Sequence, residues 1–231
     1  MIVEDMKKNR ERWPYPYNKG AKLINKVVNY VIKQIATEQW PHGIRVGESE
    51  LANATGASRS TVRSAISFLI GQGLLAARPK GAIVPRLEEK ELLDLFEFRR
   101  VIEVAATRLA CARASRGELQ QLVKIVDKMD QAIQDGALLD YSEADSEFHQ
   151  RIAEISGNSR FSNLLPILRL QTIRYRYKSL LLGGESRASL AEHKAIVEKL
   201  LDRDEAGAGQ AMDVHLVNTS KRWQQVNKKG L

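Results

Sequence analysis

Asp145 and His149 stand four residues apart in a stretch with helical periodicity, which puts their side chains one turn apart on one face. Tyr141, Phe148 and Ile152 share that face, so it points inward. His193 falls on the stripe of Leu190, Val197 and Leu200, and His215 on that of Ala208, Met212 and Thr219. Three helices thus aim four polar groups into an apolar interior. A buried carboxylate without a partner is costly, and three neutral imidazoles around it need donors and acceptors of their own. One divalent cation satisfies all four. Three nitrogens and one oxygen suit zinc, nickel or another borderline metal, with positions left open for water or a ligand. Taken singly, each histidine reads as a hydrogen-bonded core residue, and only the set of four favours a shared ion.

A different chemistry is written in the first third of the chain. Ser58 can cap a helix that opens Arg59-Ser60-Thr61-Val62-Arg63, preceded by the tight turn Gly56-Ala57. Val62, Ala65 and Ile66 point inward, leaving Arg59 and Arg63 one turn apart on the outer face. Arginine can bond two acceptors of guanine at once, and Ser58, Ser60 and Thr61 can hold phosphates or base edges. Lys80, at the tip of a possible hairpin, suits a groove or the backbone, and Gly81 permits close approach. Arg45 and Arg78 read equally as phosphate contacts and as surface charges.

Charge placement supports this division. Residues 1–86 carry fourteen Lys and Arg against six Asp and Glu, a balance of +8, whereas residues 87–231 carry twenty-two of each. All of the excess positive charge therefore sits in one third of the chain, as in a polyanion-binding module joined to a neutral partner. Charge alone leaves a basic membrane-surface helix open, and Leu23–Ile35 is mildly amphipathic. No apolar run exceeds four residues, far short of the roughly twenty of a spanning helix or the seven or more of a secretory signal. The expectation is a soluble, cytoplasmic protein. The single cysteine, Cys111, excludes an internal disulfide framework and reads as a small packing residue.

Four segments must position these groups. Residues 1–19 form an arm whose Trp13-Pro14-Tyr15-Pro16-Tyr17 run forbids a helix. Residues 20–86 read as helix, helix–turn–helix and hairpin: Ala21–Gln39, Glu48–Thr55, Arg59 to about Gly71, then strands at 74–77 and 82–84. Residues 87–90 form a charged linker. Residues 91–231 show helical periodicity only, in six segments: 92–114, 117–134, 138–156, 161–182, 188–201 and 205–226. The fold class is mainly α: an N-terminal winged helix–turn–helix with a small β-hairpin wing, then an all-α bundle.

The words Gly47-Glu48-Ser49-Glu50-Leu51-Ala52, Gly56-Ala57-Ser58-Arg59-Ser60-Thr61-Val62-Arg63-Ser64-Ala65 and Arg78-Pro79-Lys80-Gly81-Ala82-Ile83-Val84 resemble the GntR family of bacterial regulators. Serines stand at positions 49 and 64, where members often carry a basic contact and a glutamate. The second half, through Phe96-Glu97-Phe98-Arg99-Arg100-Val101-Ile102-Glu103, Asp145-Ser146-Glu147-Phe148-His149, Glu192-His193 and His215-Leu216, is similar to the FCD effector domain of the FadR branch. Six helices would place it in the VanR-type subgroup. The resemblance implies a homodimer on a double-stranded palindromic operator and a repressor released when a small organic acid binds beside the metal. In metal-containing members the aspartate and three histidines at these positions bind the ion. It also implies that Arg99 faces the ligand carboxylate, or else pairs with an acid on a neighbouring helix. Arg169 and Arg174 are candidates of the same kind, and Asn218 one for a ligand hydroxyl.

Two rivals accompany that expectation. In one, the metal only holds the bundle together and no small molecule acts. In the other, the bundle is a metallohydrolase, which needs a general base near the ion. Glu147 is near in sequence but turned off the ligand face, so the expectation is a chain that is not an enzyme.

Overall fold

The first helix, α1 (Lys22–Ala36), buries Val27, Val28, Val31, Ile32 and Ile35 at intervals of three and four. Leu23, expected on that stripe, is more than half exposed. Helix α2 (Glu48–Thr55) and helix α3 (Arg59–Gly71) supply the facing residues, Leu51 from one and Val62, Ala65, Ile66 and Leu69 from the other. The turn between them is chemically fixed. Gly56 takes the left-handed conformation at φ +68 and donates its N–H to the Ala52 carbonyl at 2.8 Å, and the Ser58 hydroxyl accepts from Thr61 N–H at 3.2 Å.

A three-stranded antiparallel sheet completes this unit, in the order β1 (Arg45–Val46), β3 (Gly81–Ile83), β2 (Ala76–Arg78). The expected hairpin is present, with its first strand starting two residues later because Leu74 and Leu75 turn into the core. Strand β1 has no signal in the sequence; two residues carry no readable alternation. Tyr30 and Trp40 meet edge to face, 6.0 Å between ring centroids.

The chain divides into two compact units, the first ending at Glu88 and the second starting at Glu89. The computed structural model describes residues 22–79, 81–86, 88–182 and 185–228. The arm at residues 1–19, Leu87 of the linker and Lys80 lie outside them. Among the described residues no helix is long and apolar enough to cross a membrane.

The second unit is a bundle of seven helices among the described residues: α4 (Glu89–Arg113), α5 (Arg116–Gln134), α6 (Leu138–Ile155), α7 (Ser159–Gln171), α8 (Ile173–Leu182), α9 (Glu185–Leu201) and α10 (Glu205–Lys228). The expectation of six helices, and with it the VanR-type assignment, is corrected. The stretch 161–182 is interrupted at Thr172, whose hydroxyl bonds the carbonyls of Leu168 and Arg169 and so ends the ladder. Apolar periodicity runs on across that residue, so the break leaves no trace in the pattern. The linker is shorter than expected too, since α4 already starts at Glu89.

Local chemistry explains the ends. Ser115 and Glu118 form a reciprocal capping box at the start of α5. Pro166 lies inside α7 and has no N–H for the carbonyl of Ser162, and the Gln150 side-chain amide donates to that carbonyl at 3.2 Å instead. The bundle core is built from α4, α5, α6, α9 and α10, with Met129, Phe148, Leu200 and Met212 fully buried.

Gly81 carries a testable constraint. Its φ is +139 and a Cβ there would lie 2.8 Å from the backbone oxygen of Val46, so a side chain must push β1 away from β3. Gly81→Ala is expected to destabilise the first unit by about 1–3 kcal/mol, measured as a fall in the urea midpoint, with the second unit's transition unmoved.

Candidate functional site

Helix α6 presents Asp145 and His149, α9 presents His193 and α10 presents His215; one ligand atom from each lies within 4.8 Å of the others. All four side chains are buried. The Nε2 of His193 is 3.3 Å from both Asp145 Oδ1 and His149 Nε2. The rings of His193 and His215 are 4.4 Å apart, and those of His149 and His215 5.2 Å.

Two carboxylates that sequence reading left unassigned decide which nitrogens face inward. Glu103 of α4 accepts from His149 Nδ1 at 2.5 Å and, through its other oxygen, from Arg99 Nε at 2.8 Å. Glu192 of α9 accepts from His215 Nδ1 at 2.8 Å, from Asn218 and from both terminal nitrogens of Arg222. An ionised carboxylate can only accept, so Nδ1 of each imidazole is the donor, and Nε2 is the ring nitrogen left for a cation. This is how a carboxylate behind a ligating histidine sets its tautomer. The Nδ1 of His193, buried and without a partner, has no such support.

Asp145 is held in a comparable way. Its Oδ2 accepts from Arg169 and Arg176, leaving Oδ1 toward the histidines. Burial would raise its pKa, but the two guanidinium groups overcome that and hold it well below the ordinary carboxylate range. Burial pushes His193 down and takes His215 to about 3, with the neighbouring imidazole adding to the latter. The site therefore presents an ionised carboxylate and, at His193 and His215, imidazoles that burial keeps neutral, the protonation states that a borderline divalent cation requires. The residues fit such an ion.

Beside the four ligand atoms a cavity opens, lined on its polar side by Arg99, Arg169, Arg176 and Arg222 and elsewhere by Phe96, Tyr141, Tyr175 and Trp223. Of the residues expected at an effector, Arg99 and Arg169 line this cavity. Arg99 pairs with an acid on its own helix rather than on a neighbouring one. Arg174 is buried but is not among the lining residues, and Asn218 is turned to Glu192. Arg176 and Arg222 were missed. Both lie on helical faces that sequence alone could not orient, one of them just past the unforeseen break at Thr172. Glu147 is exposed and bonded to Lys128, away from the ligands.

In the first unit, Ser58, Arg59, Ser60 and Arg63 are exposed at the start of α3, and Thr61 is half-buried. Arg63 is steered by Glu48, whose Oε2 accepts from its Nε at 2.8 Å. Arg45 is exposed on β1 and Gly81 is half-buried at the start of β3. Helix α3 thus offers two cations and several hydroxyls on one open face, as base-edge and phosphate reading requires.

Residues 23–84 match the bacterial regulatory proteins of the gntR family, and residues 94–218 match the FCD domain. The Nta operon transcriptional regulator of Aminobacter aminovorans is 34% identical over 166 residues, covering 71% of this chain and 76% of that protein. The HTH-type transcriptional repressor RspR of Escherichia coli is 27% identical over 81% of this chain and 82% of its own. Among solved structures, E. coli McbR/YncC superposes with a TM-score of 0.77 at 21% identity, covering 88% of this chain and 98% of that one, which speaks for the fold.

Two predictions follow from the buried charges. Removing Glu103 as Glu103→Ala leaves the Arg99 cation buried and uncompensated, and is expected to cost about 3–5 kcal/mol in denaturant unfolding. For chelated protein, His215 stays neutral in the fold down to about pH 3 but takes a proton near 6.5 when unfolded. Burial works against the Glu192 carboxylate, yet bonds from Arg222, His215 and Asn218 hold it at about 2, against about 4.5 unfolded. In both windows the unfolded chain binds more protons, so stability is lost as pH falls, first below 6.5 and further below 4.5. Melting temperatures by circular dichroism should drop through this range; a flat profile from pH 7 to 4 contradicts the buried neutral histidine.

Proposed function

The chain belongs to the gntR family of bacterial regulatory proteins and carries an FCD domain, and on that footing we propose that it is a repressor released from its operator when a small organic acid binds beside a metal ion. Its family makes it a DNA-binding transcription regulator rather than an enzyme. As a regulator of bacterial genes it would work in the cytoplasm. The observation that carries the finer reading is the convergence of Asp145, His149, His193 and His215, three of which (Asp145, His149 and His215) line an arginine-lined cavity.

Asp145 and the three imidazoles would hold a divalent cation, zinc or nickel by donor type, and the ion would supply a Lewis-acid position for an oxygen of the effector. The rest is done by the protein. Glu103 and Glu192 keep Nε2 lone pairs aimed inward, and Arg169 and Arg176 hold the carboxylate of Asp145 in place. The cavity arginines attract an anion and orient it through paired N–H donors.

At the other end, two copies would each lay α3 in a major groove, so that a palindromic operator is read as two half-sites. Arg59 and Arg63 would contact base edges, with Ser58, Ser60, Thr61 and Arg45 on phosphates. Lys80 and Gly81 would extend that contact through the wing. An acid that binds one arrangement of the dimer better than the other shifts the population toward it, and operator affinity changes by that differential alone.

The reading is tested with an operator selected from genomic DNA. Arg59→Ala and Arg63→Ala are each expected to lose about 1–3 kcal/mol of discrimination between operator and scrambled DNA. In fluorescence anisotropy, organic acids should weaken operator binding by zinc-loaded protein and leave chelated protein unaffected. If metal raises the melting temperature and yet no acid changes DNA binding, the ion is structural only.

A further inference from the structure

The two arginines at the start of α3 are held differently. Arg59 and Arg63 are both exposed and stand one turn apart. Arg63 Nε donates to Glu48 Oε2 at 2.8 Å, whereas the Arg59 side chain has no partner among the described residues. Glu48 comes from another element: it is the first residue of α2, which packs against α3. Its side chain is 33% exposed and that of Arg63 67%, so the acid is the anchored end of the pair and the cation the outward end. An ion pair this open adds little to stability.

The choice of nitrogen has a chemical consequence. A guanidinium can hold two acceptors along either of two edges, one formed by Nε with a terminal nitrogen and one by the two terminal nitrogens. Glu48 takes Nε and closes the first edge. The second, at the tip of the side chain, has no partner among the described residues, and it matches the O6 and N7 acceptors of guanine. Rotamer freedom that Arg59 must give up on binding is already restricted in Arg63, which lowers the cost of docking that edge. The pair is also neutral as a whole, so Arg63 answers a phosphate less well than a lone arginine does.

We infer that Glu48 is a positioning residue for operator reading: it presents the terminal edge of Arg63 to a base and keeps that cation from acting as a general phosphate contact. This rests on the reading above that α3 enters a major groove, and it adds how one of its arginines is made selective. A purely structural role for Glu48 has a built-in control. An acid in the first turn of a helix is favourable to the helix dipole. Glu50 lies in the same turn of α2 and has no side-chain partner among the described residues.

The test uses full-length protein, the selected operator and a scrambled duplex of equal length, with affinities from fluorescence anisotropy and folding checked by circular dichroism and urea unfolding. Glu48→Ala should weaken operator binding about three- to tenfold while scrambled DNA binds as well as before or better. In an Arg63→Ala background the same change should leave discrimination where Arg63→Ala alone puts it. Glu48→Gln keeps an acceptor oxygen and should retain part of the discrimination, and Glu50→Ala should retain all of it. Unchanged discrimination in Glu48→Ala, equal losses on both duplexes, or the same loss from Glu50→Ala would overturn the positioning role and leave the base contacts standing. Wild-type discrimination in Arg63→Ala would overturn the base contact of Arg63 and the positioning role with it.

Discussion

A carboxylate cannot sit in a dry helical bundle unless something answers its charge, and the second unit of this protein is organised around that requirement. Asp145 is buried beside three imidazoles, on the helix that also buries Phe148 and Ile152. Desolvation disfavours its ionised form, and two guanidinium groups, with His149 and His193 beside them, keep it charged. Those arginines are themselves buried and need compensation in turn. Glu103 and Glu192 then enter to hold Arg99, Arg222 and the outer nitrogens of two histidines. Each layer exists because the one inside it is costly alone. Such a network stabilises little by itself. What it achieves is direction: it fixes an oxygen and at least two nitrogen lone pairs on one point before any ligand arrives.

This inside-out order explains what was legible in the sequence. The four inner residues could be found because each sits on an apolar stripe, where a polar group is an exception, and because Asp145 and His149 share a helical turn. The arginines and carboxylates behind them could not be assigned in the same way. Glu103 and Arg99 lie four apart on α4, a spacing that as often marks a solvated ion pair, and only the packing of α4 against α6 shows that theirs is buried. Arg176 owes its direction to the break at Thr172, a single hydroxyl turning on its own backbone. Periodicity averages over many residues and is blind to such an event.

The first unit was more fully readable. Its helix–turn–helix is defined by local chemistry, with Gly56 at a left-handed position, Ser58 as a cap and Val62, Ile66 and Leu69 in register. Local rules of that kind survive in one sequence. Strand β1, two residues long and held only by pairing with β3, is a tertiary feature and left no pattern. The contact between Glu48 and Arg63 is tertiary too, though both residues stand in the motif words. Charge told the remainder: a basic head with a balance of +8 and a neutral body match the two tasks, one binding a polyanion and the other enclosing a compensated network.

The central claim is that Asp145, His149, His193 and His215 together hold one divalent ion. It is tested most directly by equilibrium dialysis of the full chain against zinc and nickel, with bound metal counted by mass spectrometry. One ion per chain is expected for the wild type, with strong loss in His193→Ala and His215→Ala and little change in a control in the first unit such as His42→Ala. No bound ion in the wild type, or full occupancy in both inner histidine variants, would contradict it.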